Sequence, residues 1–333
     1  MNSNKMFFFF ILFFSTLISI SSNSWFGCWI GLEINLLSFI PIINNSNNIL
    51  TSEASLKYFF TQAIASINLL FCIIIKMMFM KNFEMNNTIM IMMNSSLLMK
   101  MGSAPFHFWF PNIIEGLSWF NSFILMTWQK ISPMILLSYW YNNNFLILII
   151  ILNSIIGAIG GLNQTSIRKL MTFSSINNLS WMMSAMMISE NLWMFYFFMY
   201  SFLISILCLL FSMINMFFIN QLFFFNINYL IKLSLLINFL SLGGLPPFMG
   251  FLPKWIIINF MLNKNLYFLT FILIMMSLIL LFFYIRILYS SFMFNYLKLK
   301  WIKIKIKNNM FNIMNLLSFF SILGLITSTF FFM

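Results

Sequence analysis

Eleven apolar runs of about 20 residues fill this chain and leave only short links between them. They lie roughly at 6–22, 25–43, 55–75, 88–116, 119–139, 145–162, 167–188, 192–218, 230–262, 266–290 and 311–331. A run of that length crosses the hydrocarbon core of a bilayer as an α-helix. The expected fold class is therefore an all-α polytopic membrane protein of about eleven transmembrane helices. Charged residues make up 7% of the 333, against about a quarter in a soluble domain. The links are too short for a soluble domain, and neither GxGxxG nor GxxxxGK[ST] occurs.

Other classes fall to residue counts. Cys28, Cys72 and Cys208 stand singly, with no CxxC pair, whereas an iron–sulfur cluster takes about four thiolates. His107 is the only histidine, so this chain alone builds no bis-His haem and no His-rich copper site. The 30 methionines are scattered and read as packing. Asp and Val are absent and Phe, Ile, Met, Asn and Leu dominate, a bias expected of an AT-rich organelle genome. Met6 to Ile20 superficially fits a secretory signal, but it lacks a small-residue cleavage site and another apolar stretch follows at once. It reads as a retained helix, and no Arg-rich, Ser-rich transit peptide precedes it.

Basic residues in the links set the expected orientation. With eleven spans, one side collects Lys5, Lys57, Arg168, Lys169, Lys232, Lys298, Lys300, Lys303, Lys305 and Lys307. Lys76, Lys81 and Lys264 fall on the other. This places the N-terminus in the matrix or cytoplasm and the C-terminus outside. The stretch KLKWIKIKIK, 298–307, alternates basic and apolar residues. It reads as an interfacial segment snorkelling its lysines to anionic headgroups, or as a docking strand for a partner subunit. The net charge of +12 resides largely in such links, and no nucleic-acid partner is expected.

All seven prolines lie in four stretches that also carry a charge: Glu33 with Pro41, Lys100 with Pro105 and Pro111, Lys130 with Pro133, and Lys254 with Pro246, Pro247 and Pro253. A broken helix in a membrane needs its freed backbone groups buried in protein or wetted. An ionisable side chain there marks a partner or a function. Glu33 stands eight residues from both Trp25 and Pro41, some 12 Å from either end at about 1.5 Å per residue. A carboxylate at that depth costs about 3 kcal/mol and needs a cation or a proton. Pro105 leaves the carbonyl of Met101 without its helical donor, beside Lys100. Pro133 does the same for Gln129, beside Lys130. Lys254 is nearer a span end, where surface anchoring competes with a transport role. Desolvation disfavours an ammonium and a neighbouring carboxylate favours it, so such lysines can exchange protons. His107, seven residues after Lys100, can relay a proton through water or serve as a hydrogen-bonded structural residue.

The interrupted fourth and ninth runs are five spans apart and so cross in opposite directions. Paired interruptions in opposed halves are the mark of inverted-repeat transporters, with the functional site at the breaks.

GLEINLLSFIP, KMGSAPFHFWFP, WQKISPM, GGLNQTSIRKLMTFSSINN and GGLPPFMGFLPKW, in this order from about residue 25 to residue 260, closely resemble the antiporter-like membrane subunits of mitochondrial complex I. Those subunits are relatives of cation/proton antiporters, and the AT-rich character resembles an insect-type version. The resemblance implies two inverted five-helix repeats, each with a broken helix, in one antiporter-like domain over residues 1–333. Helices 1–5 then cover about 6–139, helices 6–10 about 145–290, and the last helix about 311–331. It matches Glu33 and Lys100 to the family's Glu–Lys pair, Lys130 to its middle lysine, Lys254 to its terminal lysine and His107 to its histidine. Arg168 and Lys169 match a basic pair at a helix start, outside the central relay. Two departures stand out: Asn112 occupies a position that is often acidic, with Glu115 three residues on, and the chain ends without the long lateral helix of the larger family members.

The function so implied is proton translocation in the membrane arm of NADH:ubiquinone oxidoreductase, driven by electron transfer elsewhere in the complex. The site residues are Glu33, Lys100, Lys130, Lys254 and His107. No cofactor is expected in this chain; FMN and the iron–sulfur clusters belong to other subunits. The expected partners are other membrane-arm subunits and lipids, cardiolipin among them. The location is the mitochondrial inner membrane, N-terminus in the matrix and C-terminus in the intermembrane space. The rival readings are a free-standing cation/proton antiporter and a structural subunit without proton flux.

Overall fold

The computed structural model describes residues 3–45, 48–78, 83–224, 229–293 and 308–322, and these residues are helical with short links. The chain divides into two compact units, Met1–Ile149 and Ile150–Met333, with the boundary inside one helix. The first unit contains α1 (Ser3–Ser21), α2 (Trp25–Ile43), α3 (Ile49–Met78), α4 (Phe83–Met101), α5 (Trp109–Gly116), α6 (Trp119–Met126) and α7 (Trp128–Tyr139). The boundary helix α8 runs Asn143–Leu162. The second unit holds α9 (Ile167–Ile188), α10 (Glu190–Ile214), α11 (Gln221–Phe224), α12 (Tyr229–Gly243), α13 (Phe251–Asn263), α14 (Tyr267–Met293) and α15 (Asn308–Ile322). Among the described residues, five helices are long and apolar enough to cross a membrane: α2, α3, α8, α10 and α14 over Tyr267–Tyr289.

Large apolar side chains are exposed on the outer helices as well as packed in the core. Phe7, Phe10, Phe14 and Leu17 of α1 are exposed, as are Phe268, Phe271, Leu278 and Phe282 of α14. Faces of this kind suit lipid. Inside, large apolar side chains make up most of the core, and small and polar residues are buried among them at the helix contacts. In α9 every residue from Leu170 to Met186 is buried, Ser174, Ser175, Asn177, Asn178, Ser180 and Ser184 included. Gly31 of α2 brings that helix against Ser19 of α1, where a Cβ would come within 2.7 Å of the Ser19 backbone nitrogen. Ser24 caps α2 by accepting from the Gly27 amide at 3.2 Å, and Ser189 caps α10 by accepting from Leu192 at 3.4 Å.

The two long interrupted runs do break. Residues 102–108 separate α4 from α5, and residues 244–250 separate α12 from α13. Both breaks begin on a glycine in the left-handed region, Gly102 at φ +70° and Gly244 at φ +80°, where a Cβ is disfavoured. Pro111 and Pro253 sit in the first turns of α5 and α13, where a missing N–H leaves nothing unpaired.

Several expectations need correction. Pro133 does not break its helix, because α7 runs through it from Trp128 to Tyr139. The interruption lies upstream at Thr127, whose hydroxyl and amide both donate to the Phe123 carbonyl, at 2.7 and 3.0 Å. The hydroxyl thus bonds back to the preceding turn where α6 ends. Pro41 lies inside α2, which continues to Ile43. Lys232, assigned to a link, is buried in α12 at 3% exposure. Lys57 lies on α3, paired with Glu53 one turn earlier at 2.6 Å. The basic stretch 298–307 and residues 323–331 of the last run lie outside the described residues.

Candidate functional site

In the first unit the site forms where α4 stops. The last turn of α4 leaves carbonyls without helical donors, and side chains from other helices supply some. Gln62 Nε2 of α3 donates to the Lys100 carbonyl at 3.1 Å. The Trp109 indole donates to Met99 O at 3.1 Å, and Ser103 donates to Leu98 O through both its amide and its hydroxyl. The break is thus built into the unit by hydrogen bonds.

The Lys100 side chain is buried at 6% exposure. It faces a small cavity of about 10 Å³ for a water centre, room for about one water. Asn35 of α2, Tyr58 and Gln62 of α3, and Gln129 and Ser132 of α7 line it. Gln129 Nε2 donates to Asn35 Oδ1 at 2.8 Å, and Tyr58 OH donates to Gln129 Oε1 at 3.4 Å. Ser132 Oγ is buried and lacks a hydrogen-bond partner among the described residues. The Glu33 carboxylate lies within electrostatic reach of Lys100. No direct ion pair joins them among the described residues, and Glu33 Oε1 is buried without a hydrogen-bond partner. A carboxyl oxygen and a hydroxyl so placed need water or movement to be satisfied.

Lys130 is 1% exposed on α7. Its Nζ sits 5.2 Å from the centroid of the Phe110 ring, over the aromatic face. Its helix also supplies Gln129 and Ser132 to the Lys100 cavity. The unit therefore brings Glu33, Lys100 and the Lys130 helix to one polar centre. His107 lies in the break between α4 and α5, with Nδ1 3.2 Å from the Pro105 carbonyl and its ring 4.2 Å from that of Phe108. These contacts fix the ring locally.

In the second unit Lys254 reaches back across the other break. It is buried at 6% exposure, which is not the position of a surface anchor. Its Nζ donates to Gly243 O at 2.9 Å and to Leu242 O at 3.4 Å, the last carbonyls of α12. A helix C-terminus carries partial negative charge, so the ammonium caps α12 in space. Gly244 makes the approach possible, since a Cβ there would meet Lys254 Cδ at 2.8 Å and Nζ at 2.9 Å. The Trp181 ring of α9 lies 5.8 Å from Nζ. Beside Lys254 a second cavity of about 10 Å³ is lined by Asn178, Tyr196 and Ser241 among others. Tyr196 OH donates to Asn178 Oδ1 at 2.8 Å, and Asn178 Nδ2 donates to Ser174 O at 3.0 Å.

Sequence reasoning found the charged members of both centres and missed the neutral ones. Asn35, Tyr58, Gln62, Gln129, Asn178 and Tyr196 carry no signal as isolated residues. The crowded run SSINNLS in α9 offered one, because so many polar groups in a buried helix need partners. Among the described residues no group of three or more His, Cys, Asp or Glu side chains could hold a metal.

The comparisons agree with this architecture. Residues 22–281 match the family described as NADH:quinone oxidoreductase/Mrp antiporter, TM. The chain is 54% identical over 323 residues to the NADH-ubiquinone oxidoreductase chain 2 of Anopheles gambiae, covering 95% of this chain and 94% of that one. Its fold is similar to a chain in the structure of respiratory complex I from Thermus thermophilus with bound aureothin. That likeness has a TM-score of 0.86 at 18% identity and covers 98% of this chain and 79% of the other. A chain of the Mrp complex from Dietzia sp. DQ12-45-1b aligns at TM-score 0.73 and 15% identity, over 85% of this chain and 59% of that one. With the family match over most of its length and this identity to a curated relative, the chain belongs to the NADH-ubiquinone oxidoreductase chain 2 proteins of the NADH:quinone oxidoreductase/Mrp antiporter family.

Proposed function

We propose that this chain is a proton-translocating membrane-arm subunit of NADH:ubiquinone oxidoreductase, built as inverted repeats and resident in the mitochondrial inner membrane. Its N-terminus faces the matrix and its C-terminus the intermembrane space. The observation that carries this reading is a buried ammonium beside a helix break in each unit: Lys100 at the end of α4 and Lys254 across the α12–α13 break. Each has a small polar cavity at hand. A buried ammonium without a direct counter-ion costs the fold stability, which points to a function rather than to packing.

The relay runs through Glu33, Lys100, Lys130 and Lys254, with His107 as a further proton carrier. Electrons pass through FMN and iron–sulfur clusters in other subunits, and the coupling reaches this chain as a change in the Glu33–Lys100 separation. When the carboxylate approaches, Lys100 keeps its proton; when it withdraws, the proton leaves through water towards Lys130. Moving one charge against 100 mV costs about 2.3 kcal/mol. A change in proton affinity of less than two pKa units, at about 1.4 kcal/mol each, matches it.

Lys130→Met tests the relay. In an assembled complex it should leave NADH oxidation measurable while proton uptake per electron falls. Unchanged pumping with normal assembly would refute the role of Lys130 and favour a structural subunit. The free-standing antiporter reading predicts cation-dependent proton flux from the purified chain in liposomes, and the Mrp fold likeness makes that control worthwhile.

A further inference from the structure

A wider cleft, of about 300 Å³, opens in the first unit away from the Lys100 cavity. That volume lies in the range of small-molecule sites. Its walls include Ser22, Asn23 and Ser24 from the α1–α2 link, Trp25 at the start of α2, Lys76 in the last turn of α3, and Trp140 after α7. The Lys76 ammonium stands 3.7 Å from the Trp140 ring centroid and 5.4 Å from that of Trp25. Two indole faces hold the cation in place, and they do not neutralise it. No carboxylate lines the cleft, and among the described residues Lys76 has neither an ion pair nor a hydrogen bond. Ser24 Oγ accepts from the Gly27 amide, which leaves its own proton to donate. The exposed amide of Asn23 is likewise open to a ligand. A fixed positive charge, two neutral donors and no acid define a site for an oxyanion.

The surroundings indicate the source of that anion. Deeper along α2 and α3 the exposed side chains turn apolar: Phe26 and Ile30 on one helix, Phe71 and Ile74 on the other. Tryptophans at the edge of an apolar surface mark the level of lipid headgroups. The cleft thus opens where acyl chains would end. We propose that it binds the phosphodiester of a phospholipid headgroup, with Lys76 as counter-ion, Asn23 and Ser24 as donors, and the acyl chains on the apolar flank below. This site is independent of proton transfer.

The test uses the intact assembly containing this chain, in phosphatidylcholine vesicles doped with phosphatidylglycerol that carries a photoactivatable headgroup. Labelling should map to peptides holding residues 22–25 or 139–141. It should fall about tenfold in Lys76→Gln, the loss of a contact of roughly 1.4 kcal/mol, and persist in Lys76→Arg. Millimolar inorganic phosphate should leave labelling of the unaltered assembly intact; displacement would assign the cleft to free phosphate and overturn the lipid. Equal labelling in Lys76→Gln, or none at these peptides in the unaltered assembly, would also overturn it. Should Lys76→Gln fail to assemble, the unaltered assembly and Lys76→Arg still decide through the peptide map and the phosphate arm.

Discussion

Lys254 is held by carbonyls, with Gly243 O at 2.9 Å and Leu242 O at 3.4 Å, whereas Lys100 lies within reach of a carboxylate that does not touch it. The first arrangement fixes an ammonium on a helix end. The second leaves its electrostatic environment adjustable by a small movement of α2 or α4. Gly244 is the residue on which the Lys254 geometry turns, through its φ of +80° and through the space that a Cβ would take from the lysine. Gly244→Ala should therefore cost about 1 kcal/mol or more in backbone strain and displace the ammonium. The expected outcome is reduced proton uptake per electron in the assembled complex, together with a lower melting temperature. Gln62→Leu should act on stability first: it removes the donor to the Lys100 carbonyl and leaves a buried acceptor unpaired, at about 1–3 kcal/mol. A thermal melt of the purified assembly checks it, and an unchanged midpoint would show that water replaces the amide.

Among the helices, α2 combines two duties one turn apart. Asn35 accepts from Gln129 at the Lys100 centre, and Gly31 lets α1 approach within contact of Ser19. A methyl group at position 31 would meet backbone atoms of α1, which cannot rotate away as a side chain tip can. Gly31→Ala should thus separate the pair at about 1–3 kcal/mol and speed proteolysis within α1, measurable on membranes stripped of soluble protein. The broken helices were legible in sequence because their glycines and prolines act locally, on φ and on single hydrogen bonds. The break at Thr127 was not legible. A threonine hydroxyl can bond its own helix without ending it, so only the surrounding packing decides whether α6 and α7 separate.

At the scale of the whole molecule, the burial of the cysteines predicts a specific pattern of reactivity. Cys28, Cys72 and Cys208 are all buried, at 3%, 3% and 4% exposure. A water-soluble maleimide should leave Cys72 and Cys208 unmodified in the intact assembly and react with them after denaturation in dodecyl sulfate, as read by mass spectrometry. Labelling of either before denaturation would mean that water enters where these helices pack. The sequence by itself determined that the chain is helical and membrane-embedded, that the runs at 88–116 and 230–262 break, and that Lys100, Lys130 and Lys254 are buried. Each follows from a rule that acts within one segment: the length of an apolar run, the missing N–H of proline, or the cost of a charge in hydrocarbon. Only the tertiary structure decided what those charges face. Carbonyls for Lys254, the Asn35–Gln129–Tyr58 chain beside Lys100, burial rather than exposure for Lys232, and two tryptophans around Lys76 all join residues far apart in the chain. A buried polar group takes its partner from whatever the packing brings near, and no local rule names that neighbour.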